Sequence, residues 1–350
     1  MGRQDEVPGM KERAGVSAAA PSVPAEVCDA IRGACHVALV GHVNPDADCV
    51  ASIAALWLAL PELGKTPYAV LPEGTVSRRM SYLVRHSGLR PATREELRCC
   101  DLTLVLDTAK ERRVNVVGKL EALPGVPVVN IDHHATNPRF GRWNWVEGSA
   151  SSTSELVYRL LRALGCQVTP TIATLLYAGI HTDTQGFSLT NTTPASLEIA
   201  HALAAAGARI HDICEKLHRS VSPGEFELLK VIYANTRVSE DGLLAWSTAS
   251  YQEIAATGCD AAVIDDQVEI PRSIERIALA ILFTEGQPSR VRMNFRSEQG
   301  ISVLELAQQF GGGGHHASAG ARLEGTLADV TARVLPAARA YLARLNLPSS

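Results

Sequence analysis

The chain has 350 residues, enough for two domains of ordinary size, and 46% of them are hydrophobic while 20% are charged. This composition excludes an intrinsically disordered protein, and the formal net charge of −4 argues against a long nucleic-acid groove. Eight scattered cysteines without a C-x-x-C pair argue against a zinc ribbon and fit a reducing cytoplasm. The longest apolar run, 50–60, is too short to span a membrane, so no membrane association is expected.

The first half of the chain alternates strand patterns with helical patterns. Apolar, strand-forming stretches occur in the segments 35–41, 66–74, 101–109 and 126–134. Helical patterns separate them, for example at 114–123. Such alternation predicts a doubly wound parallel α/β sheet, in which ligands bind beyond the carboxyl ends of the strands.

Two capped helices follow. The first begins at the serines and threonine of 151–154 and closes on Gly165, and the second begins at Pro170 and ends near Asp183. A helical stretch at about 190–225 is expected to be a linker. Strand patterns at 242–250 and 276–297, a helix at 301–310 and a terminal helix then predict a smaller α/β domain with a mixed sheet.

These patterns predict a division of the chain into four parts. They are a flexible tail at 1–25, a metal-binding catalytic domain at 26–190, a helical linker at 191–230 and a substrate-binding domain at 231–345. The active site is expected in the cleft between the two domains.

Four segments supply side chains that bind metal ions. They are His42, Asp46 and Asp48 in "GHVNPDADCVAS"; Asp107 in "LVLDTA"; Asp132, His133 and His134 in "VNIDHH"; and Asp183 in "GIHTDTQGFS". Three of the four segments follow apolar strands, so a doubly wound sheet brings them to one edge. Each acid alone could equally be a turn or helix cap instead of a metal ligand, and adjacent histidines alone could be surface residues. The combination of these residues predicts a shared metal site.

Electrostatics predicts what this site holds. Unit charges about 4 Å apart repel by roughly 4 kcal/mol at an effective dielectric near 20, so converging carboxylates need cations or protons. Two divalent ions match the four charges of Asp46, Asp48, Asp107 and Asp183, and Asp107 is the candidate for a ligand shared by both. Mixed imidazole and carboxylate ligands favour Mn²⁺, with Co²⁺ or Mg²⁺ as alternatives.

At these residues the sequence resembles the DHH phosphoesterase superfamily, named for the triplet Asp132-His133-His134. "GHVNPDADCVAS", "LVLDTA" and "GIHTDTQGFS" match its other motifs, and "NFRSEQGISVLELAQQFGGGGHHASAG" is similar to its associated C-terminal domain. The resemblance covers nearly everything after about residue 25. It is closest to the bacterial branch of nanoRNases and 3′-phosphoadenosine 5′-phosphate (pAp) phosphatases.

The resemblance implies a role for each site residue. One metal would be held by His42, Asp46 and Asp107, and the second by Asp48, Asp107, His133 and Asp183. His134 would face the scissile phosphate, and Asp132 would orient a histidine without binding a metal itself. Asp107, His134 and Asp132 are therefore the expected catalytic group.

The glycine-rich segment "GGGGHHASAG" is the second candidate site. Its backbone N–H groups can approach an anion closely, although a flexible turn explains the glycines equally well. An arginine and a serine precede it at the end of a strand, and an arginine can bind phosphate through two hydrogen bonds. Together with the resemblance, this predicts a substrate clamp formed by Arg296, Ser297, Gly313, Gly314 and His315.

The sequence thus predicts a manganese-dependent two-metal phosphoesterase that hydrolyses short oligoribonucleotides to mononucleotides. Activity on pAp, to give AMP, remains open, as does the oligomeric state, with a homodimer allowed. The alternatives are a cyclic or linear dinucleotide phosphodiesterase, a family II inorganic pyrophosphatase and a non-catalytic nucleotide-binding regulator. The glycine-rich C-terminal segment argues against the pyrophosphatase.

Overall fold

The structure is a computed structural model that describes residues 22–43, 45–70, 80–114, 123, 125–218, 221–259, 267–298, 300–314 and 316–345. The chain divides into two compact units, Met1–Arg219 and Ser220–Ser350. The predicted tail at 1–25 and the predicted helix at 114–123 fall mostly outside the described residues.

The first unit contains one sheet and nine numbered helices in the part of the chain that the structure describes. Its strands are β1 (His36–Val40), β2 (Thr66–Val70), β3 (Leu102–Leu106), β4 (Val128–Asp132) and β5 (Trp143–Val146). Its helices are α1 (Ala25–Gly33), α2 (Ala47–Ala59, followed by a 3₁₀ turn at Leu60–Leu63), α3 (Ser81–Ser87), α4 (Arg94–Leu97), α5 (Glu111–Val114), α6 (Thr153–Leu164), α7 (Pro170–Asp183), α8 (Pro194–Ala205) and α9 (Ile210–His218).

The sheet of this unit is parallel throughout, in the order β2-β1-β3-β4-β5. Side chains of α1, α2, α6 and α7 form one large core against one face, and a smaller apolar cluster with Leu97 and Val114 covers the other. All five residues of β3 are buried, which explains why its sequence is a nearly continuous apolar run. The predicted doubly wound sheet is confirmed, although β5 was not predicted.

The two helices that follow β5 begin and end as their sequences indicate. Ser152 caps α6, which ends at Gly165 with a φ of +80°. Thr169 caps α7 directly before Pro170, and the helix ends at Asp183. Both helices pack on α2, and the N-terminus of α6 and the C-terminus of α7 lie near the carboxyl edge of the sheet, where β1 leads into α2.

The second unit contains the remaining elements. Its strands are β6 (Arg237–Val238), β7 (Leu244–Ala249), β8 (Leu279–Gln287), β9 (Arg290–Ser297), β10 (Gly313–Gly314) and β11 (Ser318–Glu324). Its helices are α10 (Pro223–Ala234), α11 (Tyr251–Ala256), α12 (Glu269–Arg272), α13 (Leu304–Gln309) and α14 (Leu327–Arg344).

The six strands form a mixed sheet in the order β10-β11-β9-β8-β7-β6, in which only β7 and β8 run parallel among the described strands. One apolar cluster, centred on Phe283 and Phe295, packs under α13 and α14. A second cluster, with Leu228 and Leu282, packs under α10, α11 and α12. The predicted smaller α/β domain with a mixed sheet is confirmed.

A search of the described helices finds none that combines the length and the apolar character needed to cross a lipid bilayer.

Candidate metal centre

The loop after β1 carries the first candidate ligands. Asp46 caps α2, because its Oδ1 accepts a hydrogen bond from the backbone N–H of Cys49 at 3.0 Å. Its other oxygen, Oδ2, lies 3.7 Å from Nε2 of His42. His42 and Asp48 are buried. Asp46 is therefore a helix cap, the alternative that the sequence left open, and still faces the neighbouring histidine.

Asp107 lies directly after β3 and has a φ of +59°, in the left-handed region that few residues other than glycine adopt. Its Oδ2 is 3.6 Å from Nε2 of His42, and its Oδ1 is 3.6 Å from Nε2 of His133. The hydroxyl of Thr153 donates a hydrogen bond to Oδ1 at 3.1 Å. A buried carboxylate with one oxygen towards each of two histidines has the arrangement of a ligand shared between two ions.

The two histidines of the triplet at the end of β4 have different surroundings. Nδ1 of His134 lies 2.6 Å from Oδ1 of the fully buried Asp132, whose Oδ2 accepts a hydrogen bond from Asn137 at 2.5 Å. Burial raises the pKa of Asp132, but the contacts with His134 and Asn137 have a larger, opposite effect. The pKa of Asp132 therefore lies below its usual value. Nε2 of His133, in contrast, lies 3.2 Å from Oδ2 of Asp183.

The N-terminus of α6 holds the carboxylate of Asp48. The backbone N–H groups of Thr153 and Ser154 donate to its two oxygens at 2.7 and 2.8 Å. The positive end of the helix dipole adds to this stabilisation. Helix α7 approaches the same point through Gly179: a Cβ there would overlap Oγ of Ser154 and lie 2.7 Å from Oδ1 of Asp48. Glycine is therefore needed in this helix for close packing.

The carboxylates of the cluster interact unfavourably when no cation lies between them. Burial, together with the charges of neighbouring aspartates, raises the pKa values of Asp48 and Asp183 well above the usual range. Burial lowers the pKa of His42, but the carboxylates of Asp107 and Asp46 outweigh it and raise that pKa to about 10. The cluster therefore attracts positive charge, either as protons or as metal ions.

The donor atoms fit divalent ions in type and spacing. Among the described residues, three groups of side chains have ligand atoms within 4.8 Å of one another: His42, Cys49 and Asp107; Asp107, His133 and His134; and Asp48, His133 and Asp183. Two ligands at about 2.1 Å from one ion are roughly 3.0–3.4 Å apart, close to the 3.2–3.7 Å between these imidazole and carboxylate atoms. Burial raises the pKa of the Cys49 thiol well above its usual value, which disfavours it as a ligand.

All eight candidate residues, the six predicted metal ligands together with Asp132 and His134, therefore converge at the carboxyl edge of the parallel sheet. Seven of them present an oxygen or nitrogen atom within 4 Å of another member, and Asp48 joins them through its group with His133 and Asp183. The predicted convergence is observed, while the binding of particular ions by particular residues remains a proposal.

Four of the residues predicted for a substrate clamp lie on two strands of the second unit, β9 and β10, on either side of β11. Arg296 and Ser297 end β9, and Arg296 is paired across the sheet with Ser318 of β11. Gly313 and Gly314 form β10 on the other side of β11. A Cβ at Gly314, which has a φ of +151°, would lie 2.5 Å from backbone atoms of β11, so close strand packing explains this glycine. His315 lies outside the described residues.

Two of these clamp residues have contacts inside their own unit. Nε of Arg296 lies 3.5 Å from Oε1 of Glu269, and its Nη1 donates to the carbonyl of Phe295 at 3.1 Å. The hydroxyl of Ser297 is buried and donates to the carbonyl of Ile301 at 2.6 Å. Ser297 therefore holds the loop after β9, and its side chain can offer only an acceptor to a ligand.

Sequence reasoning missed several residues that support the site. Asn137 contacts Asp132 and Oδ1 of Asn130, and Asn130 in turn donates to the carbonyl of Val105 in β3 at 3.3 Å. Thr153 and Ser154 hold Asp48. A signal was present for Asn130, a polar residue inside an otherwise apolar strand, since buried polar groups need partners. No local pattern identifies Asn137 or Thr153.

A doubly wound parallel sheet with carboxylates and imidazoles gathered at its carboxyl edge fits the active site of a metal-dependent hydrolase. The model of the DHH family, N-terminal domain, matches residues 36–180, and that of the DHHA1 domain matches residues 248–344. The chain belongs to the DHH family and is a phosphoesterase, as its motifs predicted.

Its relatives cover nearly the whole chain. The bifunctional oligoribonuclease and PAP phosphatase NrnA of Thermus thermophilus is 34% identical over 325 residues, 91% of this chain and 94% of that protein. The protein of the same name from Bacillus subtilis is 30% identical and covers 81% of this chain and 87% of its own length. A crystal structure of an exopolyphosphatase-related protein from Bacteroides fragilis has the same fold, with a TM-score of 0.82, 22% identity, and coverage of 89% of this chain and 94% of that one.

Proposed function

We propose that this protein is a manganese-dependent two-metal phosphoesterase that hydrolyses short oligoribonucleotides to mononucleotides and pAp to AMP. The observation that carries the two-metal part is the carboxylate of Asp107, whose two oxygens face Nε2 of His42 and Nε2 of His133. The substrate class rests on the similarity to the bifunctional NrnA enzymes, which extends over both units.

Each candidate ligand has a role in this proposal. His42, Asp46 and Asp107 would hold one ion, and the second would be held by Asp48, Asp107, His133 and Asp183. Ions bound there would activate water and neutralise charge on the reacting phosphate. The two oxygens of Asp107 face His42 and His133. The N-terminus of α6 holds the carboxylate of Asp48 in place before any ion binds.

His134 is the residue proposed to contact the scissile phosphate. Asp132 holds its Nδ1 at 2.6 Å, which fixes the plane of the ring and leaves Nε2 as the nitrogen that faces substrate. Burial lowers the pKa of His134, but the carboxylates of Asp132, Asp107 and Asp46 outweigh this and raise it, which favours a ring that donates a hydrogen bond. Asn137 supports the arrangement by donating to the other oxygen of Asp132.

Arg296, Gly313, Gly314 and His315 are proposed to bind the phosphate and terminal nucleotide of the substrate, with Ser297 holding the loop beside them. This assigns the chemistry to residues 26–190 and substrate binding to residues 231–345, with 191–230 as a linker. An end-binding site of this kind favours RNA of two to about five nucleotides over longer chains. The scattered free thiols support a cytoplasmic location.

The test is a comparison of four substrates under one condition. The protein is incubated with Mn²⁺ and pApA, pAp, pyrophosphate or cyclic di-AMP, and the products are separated by chromatography. The proposal expects release of AMP from pApA and pAp, with two ions bound per chain by calorimetry. Preferential hydrolysis of pyrophosphate or cyclic di-AMP would contradict the proposed function and support the corresponding alternative. No turnover of any substrate would favour a nucleotide-binding regulator.

A further inference from the structure

Asn191 connects two parts of the candidate metal centre without contacting a ligand atom. Its Nδ2 donates to the backbone carbonyl of Ser151 at 2.9 Å and to that of Asp183 at 3.1 Å. The residues are 40 and 8 positions away in the sequence. The amide has two N–H bonds, so both of its donors are used by these two carbonyls.

The two carbonyls lie beside the two segments that fix ligands of one group: the start of α6 holds Asp48, which lies on α2, and the end of α7 carries Asp183. Ser151 directly precedes the capped N-terminus of α6, where the N–H groups of Thr153 and Ser154 hold Asp48. Asp183 is the last residue of α7. Asp48 and Asp183 belong to the same candidate group, together with His133. Asn191 therefore spans the two chain segments whose separation sets the distance between two ligands of one ion.

The orientation of the amide is fixed by its acceptors. A flipped amide would point Oδ1 at two carbonyl oxygens, which repel it, so Nδ2 must face them. In the orientation observed, Oδ1 is buried and has no hydrogen-bond partner in the structure. Leaving a buried acceptor unpaired costs about 1–3 kcal/mol, so the side chain retains its two donor contacts despite this penalty.

The loop between Asp183 and Asn191 is strained, so it depends on hydrogen bonds and packing to keep its conformation. Gln185, Gly186 and Phe187 all have positive φ values, of +45°, +70° and +65°. Left-handed residues other than glycine cost about 1–2 kcal/mol each. The ring of Phe187 lies 6.0 Å from that of His181, which anchors the turn on α7, and Asn191 closes it on the other side.

We infer that Asn191 is a positioning residue for the ion held by Asp48, His133 and Asp183. It sets the distance between the start of α6 and the end of α7, and so between two of the three ligands. The inference rests on the proposed function for the presence of two ions. Asp48 lies on α2, whose start also carries Asp46, but Asp48 is held in addition by the N-terminus of α6. Among the described residues, Asn191 makes no hydrogen bond to the loop that carries His42 and Asp46.

The experiment is a manganese titration of the full chain with Asn191→Ala. Residues that orient ligands from outside typically change metal affinity 10–100-fold, so one of the two binding steps should weaken about tenfold or more. The other step should weaken less, because the start of α6 contacts its proposed ligands through the hydrogen bond from Thr153 to the shared Asp107. Hydrolysis of pApA should fall at limiting Mn²⁺ and recover towards the original kcat when Mn²⁺ is raised. A residue that matters only for folding would not give a loss that metal restores.

Asn235→Ala is the matched control. Asn235 also donates through Nδ2 to two acceptors, the carbonyl of Thr248 and Oε1 of Glu253, both at 3.0 Å, but it lies in the second unit. Melting temperatures in EDTA show whether both variants lose comparable stability. If Asn191→Ala does not fold, Asn191→Ser, which keeps one donor, takes its place and should give a smaller change in the same step.

Three results would overturn the inference: unchanged affinity at both steps, equal weakening of both steps, or an activity loss that saturating Mn²⁺ does not restore. A parent protein that binds fewer than two ions would instead refute the proposed two-metal function, whatever the variant does. The titration of the parent protein therefore separates the two failures.

Discussion

Asp107→Asn is the most informative single substitution for the shared ligand. The residue has a φ of +59°, which asparagine and glycine adopt readily, whereas alanine carries a strain of about 1–2 kcal/mol. Asparagine keeps an oxygen that can accept the hydrogen bond from Thr153 and removes only the negative charge. Alanine would combine backbone strain with the chemical change, so Asp107→Asn isolates the effect of the charge.

The substitution should remove most of the activity while changing stability little in the absence of metal. The charge of Asp107 contributes, after burial, to the raised pKa values of Asp48 and Asp183, and against the effect of burial it raises the pKa of His42, so its removal relieves two repulsions and loses one attraction. Each pair of charges about 4 Å apart interacts by up to roughly 4 kcal/mol, and because these contributions oppose one another we expect the free energy of unfolding to change by less than about 2 kcal/mol. In a domain of this size that corresponds to a change in melting temperature of less than about 8 °C.

Activity should fall by about 10³-fold or more, which corresponds to about 4 kcal/mol of barrier, because both of the proposed ions would lose a ligand. The assays are melting in EDTA, manganese calorimetry and turnover of pApA. Asp101→Asn is the control at the opposite end of the same strand: Asp101 accepts backbone N–H bonds from Cys35 and His36 at 2.8 and 3.0 Å, so its loss should lower stability and leave turnover intact. A variant of Asp107 that keeps more than a tenth of parent turnover, or whose melting temperature in EDTA changes by more than about 8 °C, would refute the reasoning.

Three further predictions concern packing, ion pairing and thiol chemistry. Gly179→Ala should lower the melting temperature and weaken manganese binding. Overpacking against Ser154 and Asp48 costs about 1–3 kcal/mol, which outweighs a helix-propensity gain of about 1 kcal/mol. If calorimetry and melting showed no change, α7 would be free to shift away from these side chains. Arg159→Met should destabilise the fold by about 3 kcal/mol in urea unfolding, since it leaves Glu147 charged and nearly buried, whereas Arg290→Met, at an exposed pair, should cost less than about 1 kcal/mol. Burial raises the pKa of Cys100 to about 12, so at pH 8 a thiol reagent should modify the exposed Cys99 and leave its neighbour unmodified until the chain unfolds, as read by mass spectrometry.

The sequence was sufficient to predict a parallel sheet, four of its five strands, and the eight acidic and histidine side chains that cluster at its edge. Three candidate segments follow apolar strands, and the parallel order of β1, β3 and β4 is what makes their carboxyl ends neighbours. Asp183 reaches the same place at the end of a helix, which the sequence also indicated. Periodicity and motif spacing carry this information because side-chain direction and strand direction are local properties of the chain.

The support of these side chains could not be predicted, because it depends on contacts between distant segments. The pairing of Asp48 with the N-terminus of α6 joins positions more than 100 residues apart. Asn137 donates a hydrogen bond to the carboxylate of Asp132, and Asn191 donates to the backbone carbonyl of Ser151. Neither asparagine lies in a distinctive local sequence pattern. Strand β5 was missed because its four residues, Trp143–Val146, are too few for a periodic signal. The glycines of β10 suggested a phosphate nest, whereas close packing against β11 accounts for Gly314.

The left-handed backbone at Asp107 also has a genetic consequence. Asparagine and glycine, the residues that best tolerate this conformation, are each one base change from either aspartate codon. A single nucleotide mutation can therefore remove the shared carboxylate while the chain still folds. At this position selection for folding does not preserve the proposed chemistry, so a descendant that folds normally and has lost turnover is one base change away.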